Sequence, residues 1–534
     1  MTEHAFPDWM HWARWGDPAM AHPVPDSVRQ LVEAFLGPLE ERPAVAHEDV
    51  RLPSVGLSSG RLAALGDLVG ADQVHTDRAW RVARTRGKST PDLLRIRAGD
   101  GSDAPDAVVC PASHAEVAAV VAWCAENRVA LVPFGGGTSV VGGLAARREG
   151  YDGVVALDLR RMNRLVSVDE VSGTATLEAG VLGPEAEALL AEHGLTIGHF
   201  PQSFRYASIG GFAATRSSGQ SSAGYGRFDA LVMALKVATP IGDLVLGSSP
   251  ANAAGPDLRQ LVLGSEGAFG VITEVTVRVR PVPVLKVYEG WRFDSFPAGA
   301  DAMRRLARSG VLPTVLRLSD ETETAVNLAS SSAVGEPGSG GCLLITGYEG
   351  TADQVDRMRG PASALLSSSG GSDLGEGPGE AWARGRYDGP YLRDALLDHG
   401  VLVETFETAT FWSNLDHLYS SAKAAIEANL TSQGTPPLVL CHISHVYETG
   451  ASLYFTVAAR ELSDGLAQWL SAKAAASDAI VGAGGSITHH HGVGQDHKPW
   501  LAAEIGPVGV ELLRAVKERL DPQGVLNPGI LVPR

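Results

Sequence analysis

The chain has 534 residues, 44% of them hydrophobic, which is more than one core usually organises, so two or more globular domains are expected and a disordered chain is excluded. Its 44 Lys+Arg against 61 Asp+Glu leave a formal charge of −17, which argues against nonspecific nucleic-acid binding and obliges any anionic ligand to rely on local arginines. Cys110, Cys124, Cys342 and Cys441 lie far apart with no CxxC spacing, which disfavours a disulfide scaffold or thiolate zinc site and suits a reducing cytoplasm.

The opening residues lack the basic start and apolar run of a secretory signal, and no stretch approaches the ~18 uninterrupted apolar residues of a membrane span. The final residues, Leu531-Val532-Pro533-Arg534, match no peroxisomal tail. A cytoplasmic protein is therefore expected.

In chain order, the aromatic run Trp9-Met10-His11-Trp12-Ala13-Arg14-Trp15-Gly16 is expected to dock on the body of the protein, with contact to a membrane surface as the alternative. The periodicity predicts a short amphipathic helix over 27–36, capped by Asp26 or Ser27. From 104 onward, strand-like runs at 107–110, 130–133, 154–157 and 175–179 alternate with helical patterns at 114–127 and 184–193, so an α+β or α/β domain is expected.

Past 284 the glycine motifs thin out, and helices over 298–309 and 415–430 are expected to cover the sheet of a second domain. The Gly/Ser-rich run at 367–379 predicts a mobile surface loop. No internal repeat of fixed period is found. The tail Leu520-Asp521-Pro522-Gln523-Gly524-Val525-Leu526-Asn527-Pro528-Gly529 places Pro and Gly where a helix stops and the chain turns. The expected division is 1–103 as an N-terminal helical and extended region, 104–284 and 285–480 as the two domains, and 481–534 as a segment returning to the first.

Three glycine-rich segments carry the first chemical signal. Pro133-Phe134-Gly135-Gly136-Gly137-Thr138-Ser139-Val140 follows an apolar strand, and its glycines let backbone N–H groups converge on an anion without Cβ obstruction. It is neither a Walker loop nor a spaced Gly-x-Gly-x-x-Gly. Ser208-Ile209-Gly210-Gly211-Phe212-Ala213-Ala214-Thr215-Arg216-Ser217-Ser218-Gly219 and Leu263-Gly264-Ser265-Glu266-Gly267-Ala268-Phe269-Gly270-Val271-Ile272-Thr273 repeat the pattern of glycines with hydroxyls. Together they suggest a large ligand with a diphosphate and a fused ring.

The second signal is His489-His490-His491 within Gly484-Gly485-Ser486-Ile487-Thr488-His489-His490-His491-Gly492-Val493-Gly494, a triplet suited to protons, anions or a metal. In an extended segment His489 and His491 would face one way and His490 the other, so one face could not use all three. Zinc on His489, His491 and His497 is the metal alternative. With no cysteine nearby and only Asp496 as a carboxylate, no metal is assigned.

With these residues in view, the loop at 133–140, the Ile209-Gly210-Gly211 segment, the run from Gly264 to Ile272 and the closing Asp521-Pro522 to Asn527-Pro528-Gly529 resemble the FAD-linked oxidase superfamily of the vanillyl-alcohol oxidase type. That resemblance implies an α+β fold: a two-part FAD-binding domain, not of the Rossmann kind, with a sheet-based cap and the flavin ring between them. It assigns Pro133 to Val140, Ser208 to Gly211, Thr215 to Gly219 and Glu266 to Ile272 to FAD, together with His199, Pro201, Gln202 and Ser203, and leaves covalent attachment open.

Within the superfamily, flavin-dependent 2-hydroxy-acid dehydrogenases carry Gly-Glu-His-Gly-Ile-Gly where this chain has His489-His490-His491-Gly492-Val493-Gly494, so His490 stands in place of the Glu. The triplet, the Trp12-to-Gly16 start, Glu404-Thr405-Phe406-Glu407-Thr408, Ser444-His445-Val446-Tyr447 and Gly450-Ala451-Ser452-Leu453-Tyr454-Phe455 instead resemble the alkyldihydroxyacetonephosphate synthase family. The match lapses over 84–97 and 367–379.

The resemblance implies replacement of the acyl group of 1-acyl-dihydroxyacetone phosphate by a long-chain alcohol, with FAD as the electrophile, in a redox-neutral reaction of a homodimer that touches a membrane peripherally. It makes Tyr454 catalytic, with His489, His490 and His491 as the neighbours expected to stabilise its phenolate. It makes Arg393 and Arg317 substrate-binding. From spacing alone, Arg393 reads as a helix-surface partner of Asp394 or Asp398, and Arg317 as either a buried partner of Asp320 or an active-site residue. His442 and His445 read as packing or supporting groups. An FAD-linked dehydrogenase or oxidase of a hydroxylated substrate is the alternative function, and a flavin-retaining binding protein a third.

Overall fold

The computed structural model describes residues 10–326 and 340–533. Trp9, at the start of the aromatic run, lies outside them.

Near-continuous Val/Ala/Leu runs form the interior of a small parallel sheet, because a strand covered on both faces has no need to alternate. Ala107–Val109, Gly153–Asp158 and Val129–Phe134 lie parallel, with Val74–His75 antiparallel on the edge. The helix His114–Glu126 packs on this sheet and starts where the Ser113 hydroxyl accepts the Glu116 N–H. A five-stranded antiparallel sheet follows in the spatial order Leu165–Asp169, Thr174–Glu178, Val271–Arg278, Val232–Thr239 and Gly242–Leu246. One hydrophobic core joins both sheets.

The second domain is a seven-stranded antiparallel sheet, in the order Ser372–Asp373, Leu285–Phe293, Cys342–Gly350, Val315–Ser319, Leu438–Ile443, Gly450–Arg460, Val401–Phe411. Period-two alternation decides its two faces. Leu316 and Leu318, Val439, Cys441 and Ile443, Leu453, Phe455 and Val457, and Leu402 and Phe406 point into a core closed by the helices Phe296–Arg308, Leu415–Ser432 and Gly465–Gly482. The intervening residues form the opposite, polar face, where the site is built.

The two ends of the chain serve both domains. Val24, Val28 and Val32 pack on Ala395, Leu396 and Val401, whereas Leu65 and Val69 of the helix Ser59–Val69 join the first core. At the other end Val525 and Leu526 enter the first core, and Leu526 bridges Leu131.

Two expectations are corrected. The helix over 27–36 runs Asp26–Leu36 from Pro25 with no side-chain cap. The Gly/Ser run is not a free loop: the helix Ala352–Ser368 extends into it, Ser372–Asp373 adds an edge strand, and Gly377–Gly385 is helical, with Pro378 packed over Gly290. Small residues are used there because a helix approaches a strand closely.

Candidate active site

On the polar face of the cap sheet, cross-strand register sets four residues side by side: Ser319 opposite His442, His442 opposite Tyr454, and Tyr454 opposite Glu407. Neighbours in such a row have their side chains in contact. His442 stacks on Tyr454, with ring centroids 4.9 Å apart and planes 20° apart.

The histidine loop lies against this row because Glu407 organises it. The fully buried carboxylate accepts the Thr488 hydroxyl at 2.5 Å and the backbone N–H groups of His489, His490 and His491 at 2.6, 3.1 and 3.0 Å. Four donors on one carboxylate bend the chain, so the strand-like alternation expected for the triplet does not hold. All three rings instead share one cluster. His490 and His491 lie 6.1 and 5.6 Å from the Tyr454 ring, His489 and His490 lie 5.1 and 5.2 Å from His445, and His489 Nε2 meets Tyr447 Oη at 2.6 Å. The ring nitrogens that come within 4.8 Å of one another are those of His445, His489 and His490, not His489, His491 and His497. His497 Nδ1 bonds the Gly492 carbonyl instead.

Burial sets the protonation states. Desolvation holds His489 down at about 3 and lowers His490 and His491 against the pull of Glu407, so the cluster is neutral near pH 7. Burial opposes ionisation of Glu407 too, but the attraction of His490, His491 and His489 whenever they carry a proton, and the Thr488 hydroxyl's hydrogen bond, keep it well below the usual carboxylate range. Tyr454 is pushed up to about 12, by burial first and by the charges of Glu404 and Glu407, against the counter-effects of Thr405 and Arg393; its hydroxyl donates to Thr405 Oγ1 at 3.1 Å. The expected phenolate among cationic histidines is therefore corrected: at rest a protonated phenol faces neutral imidazoles.

The two arginines differ. Arg317 is committed to protein partners: Nη2 reaches Glu323 at 2.6 Å and His442 Nδ1 at 3.0 Å, and Nη1 reaches Ser319 at 2.9 Å. Its acidic partner is Glu323, not Asp320, which is engaged by Tyr419 and Lys423. Arg393 is buried rather than a helix-surface residue. Its Nε binds Asp394 at 2.8 Å and its Nη1 the Lys88 carbonyl at 2.7 Å, while Nη2 is buried with no partner among the described residues.

The glycine segments converge beside this cluster. Gly136 lies so close to the 206–208 segment that a Cβ on it would stand 1.9 Å from the Tyr206 carbonyl, so the approach requires glycine. Gly267 packs on Pro133. Ser208 opens the helix Ile209–Thr215 by accepting the Gly211 N–H. His199, held down at about 3 by burial and then by His490, meets Ser217 Oγ at 3.0 Å, and Ser218 Oγ meets His445 Nδ1 at 3.1 Å, which joins the segment to the histidine cluster.

The peptide N–H groups of Gly136, Gly137 and Thr138 find no acceptor among the described residues, and the buried Oγ atoms of Ser221 and Ser265 and Oδ1 of Asn527 have no partner. Buried polar atoms of this kind ask for a polar ligand, and a loop of free N–H groups fits a diphosphate.

Several residues expected at the cofactor also make contacts within the protein. Arg216 bonds Asp229 and the Leu263 and Gln260 carbonyls, Ala268 and Phe269 sit in a core with Leu501 and Ile530, and Val271 and Ile272 begin a strand. The Glu266 carboxylate accepts the N–H groups of Val493 and Gly494, tying the histidine loop to this domain, and burial raises it to about 7. Glu323 and Lys88, which also shape the site, carry no motif of their own. Glu407 was visible as part of the Glu404-Thr405-Phe406-Glu407-Thr408 motif, without a role of its own.

Known proteins share this chain's sequence and fold over most of its length. Residues 105–247 match the family described as FAD binding domain, and 282–531 match FAD linked oxidases, C-terminal domain. Alkyldihydroxyacetonephosphate synthase of Dictyostelium discoideum is 36% identical over 516 residues, covering 93% of this chain and 84% of that protein. A solved alkyldihydroxyacetonephosphate synthase superposes with a TM-score of 0.84 at 31% identity, covering 97% of this chain and 98% of that one. p-Cresol methylhydroxylase shares the fold, with a TM-score of 0.71 at 17% identity over 89% of this chain and 98% of that one. The cofactor is FAD, and the fold is the flavoprotein architecture that the resemblance implied.

Proposed function

Because this chain belongs to the alkyldihydroxyacetonephosphate synthase family, we propose that it replaces the acyl group of a 1-acyl-dihydroxyacetone phosphate with a long-chain alcohol. The C1–O bond to the acyl group breaks, a C1–O bond to the alcohol forms, and the alcohol's proton leaves with the released fatty acid, so no net electrons move. FAD, when bound, supplies an electrophilic ring at C1. The loop at 135–140, the segment at 208–211 and Gly267 hold it.

The observation that carries the reading is the histidine triplet wrapped on Glu407 against Tyr454. Neutral His490 is a proton acceptor for C1, and the resulting imidazolium has the Glu407 carboxylate 3.6 Å away. Tyr454 enters as a donor, since its proton is firmly held. The buried, unpartnered Nη2 of Arg393 suits an anionic group of the substrate. Arg317 supports the row through Glu323 and His442 rather than by meeting substrate itself.

The same reading makes the enzyme a cytoplasmic homodimer that meets a membrane surface peripherally, where its lipid substrates lie. The membrane contact is supported by Ile505, Val508 and Leu512, exposed apolar residues on either side of the kink at Gly506 within Lys498–Leu520. Among the described residues no helix is long and apolar enough to cross a membrane. Sedimentation with liposomes and sedimentation velocity test these points.

The reaction itself is tested by anaerobic incubation of the flavoprotein with palmitoyl-dihydroxyacetone phosphate and labelled hexadecanol. Label entering an ether without net flavin reduction supports the exchange. Absence of ether, with flavin bleached by a hydroxy acid and electrons passed to a dye, would replace it with the dehydrogenase reading.

A further inference from the structure

The N-terminal aromatic segment and Lys88 are absorbed by neither the cofactor loops nor the histidine cluster, yet both end on Arg393. We propose that residues 10–17 and Lys88 form a strap that aims the free Nη2 of Arg393, acting as positioning elements for substrate; this rests on Arg393 being the group that holds the substrate's anion.

The guanidinium is planar, so fixing two of its nitrogens fixes the direction of the third. Those two anchors are the Asp394 carboxylate on Nε and the Lys88 carbonyl on Nη1. Each anchor is in turn held by the strap. The other Asp394 oxygen accepts the Trp15 N–H, and Lys88 Nζ donates to the His11 and Trp12 carbonyls at 2.6 and 3.1 Å. Lys88 N–H donates to the carbonyl of Ser139, so the same residue ties the glycine-rich loop to Arg393.

The strap bridges both domains. Trp15 packs with Tyr206 of the first and Tyr391 of the second, whose hydroxyls meet at 2.5 Å, and Asp17 N–H donates to Tyr206 Oη at 3.0 Å. Gly16 closes the fit. Its φ is +65°, and a Cβ there would stand 2.2 Å from Tyr391 Oη. The Trp-Gly pairing of the opening motif thus has a physical reason: the bulky ring docks between the domains and the next residue must have no side chain.

The test uses full-length, FAD-loaded protein carrying Lys88→Met or Gly16→Ala, each also made in an Arg393→Met background. KM for palmitoyl-dihydroxyacetone phosphate, kcat, flavin content and melting are measured on all. Losing aim on one charge-assisted contact is expected to raise KM about tenfold, with kcat within about twofold and flavin content unchanged, and neither substitution should add to the effect of Arg393→Met. Wild-type KM in Lys88→Met overturns the proposal, as does a rise that multiplies that of Arg393→Met. If Gly16→Ala does not fold, Lys88→Met decides alone. A wild-type KM in Arg393→Met removes the substrate role of Arg393 and the strap's purpose with it, an outcome distinct from additivity.

Discussion

Replacing Glu407 by glutamine is the sharpest perturbation of the site, because an isosteric change removes one charge and reverses one hydrogen-bonding end. Oε1 accepts from Thr488 Oγ1, His490 N and His491 N, and Oε2 accepts from His489 N. With the amide in its better orientation three bonds survive as neutral ones, and the NH2 faces the His489 N–H. A bond to a charged acceptor is worth about 1 kcal/mol more than a neutral one, and a stranded buried donor costs about 1–3 kcal/mol. The losses sum to about 4–6 kcal/mol, and release from burying a carboxylate offsets part of this, leaving about 3–5 kcal/mol at pH 7. Denaturant melts of both proteins, with amide exchange at residues 488–491, provide the assay. Since the folded carboxyl is held below its ordinary value of about 4.3, its contribution is complete above that pH and is lost only as pH falls further. The stability gap should therefore stay constant from pH 8 to about pH 5 and narrow only below. Equal stability at pH 7 with unchanged exchange at 488–491 would refute the claim that this carboxylate folds the loop.

Three further outcomes are expected. Tyr454→Phe should lower kcat about 10²–10³-fold while leaving flavin content and melting near wild type, because among the described residues the hydroxyl bonds only Thr405; near-full turnover would remove Tyr454 from the chemistry. Gly136→Ala should abolish retention of FAD, read from the flavin absorbance of the purified protein, since its Cβ collides with backbone at Tyr206 rather than with a movable side chain. His199, His489 and His497 are buried neutral at about 3, so the unfolded chain takes up protons first as pH falls. Stability from these groups is complete above about 6.5 and declines steadily toward pH 3, and melting temperatures that hold level from pH 7 to 5 would contradict it.

What could be read from the sequence was whatever is encoded locally. Apolar runs such as Val129–Phe134 and Gly153–Asp158 announce buried strands, and consecutive glycines after one of them announce an anion loop, because only glycine lets backbone approach so closely. The histidine triplet and Tyr454 were likewise legible as motifs, with FAD as the cofactor and the exchange reaction as the family's chemistry.

What tertiary structure decided is how those residues are protonated, aimed and partnered. The triplet's rings converge because Glu407, some eighty positions away, collects its N–H groups. Arg317 turns to Glu323 and His442, and Arg393 keeps one nitrogen free because Lys88 and Asp394 take the others. Tyr454 keeps its proton because burial outweighs the cation beside it. Each of these depends on desolvation and on partners brought from distant strands, and neither quantity exists until the sheet has closed.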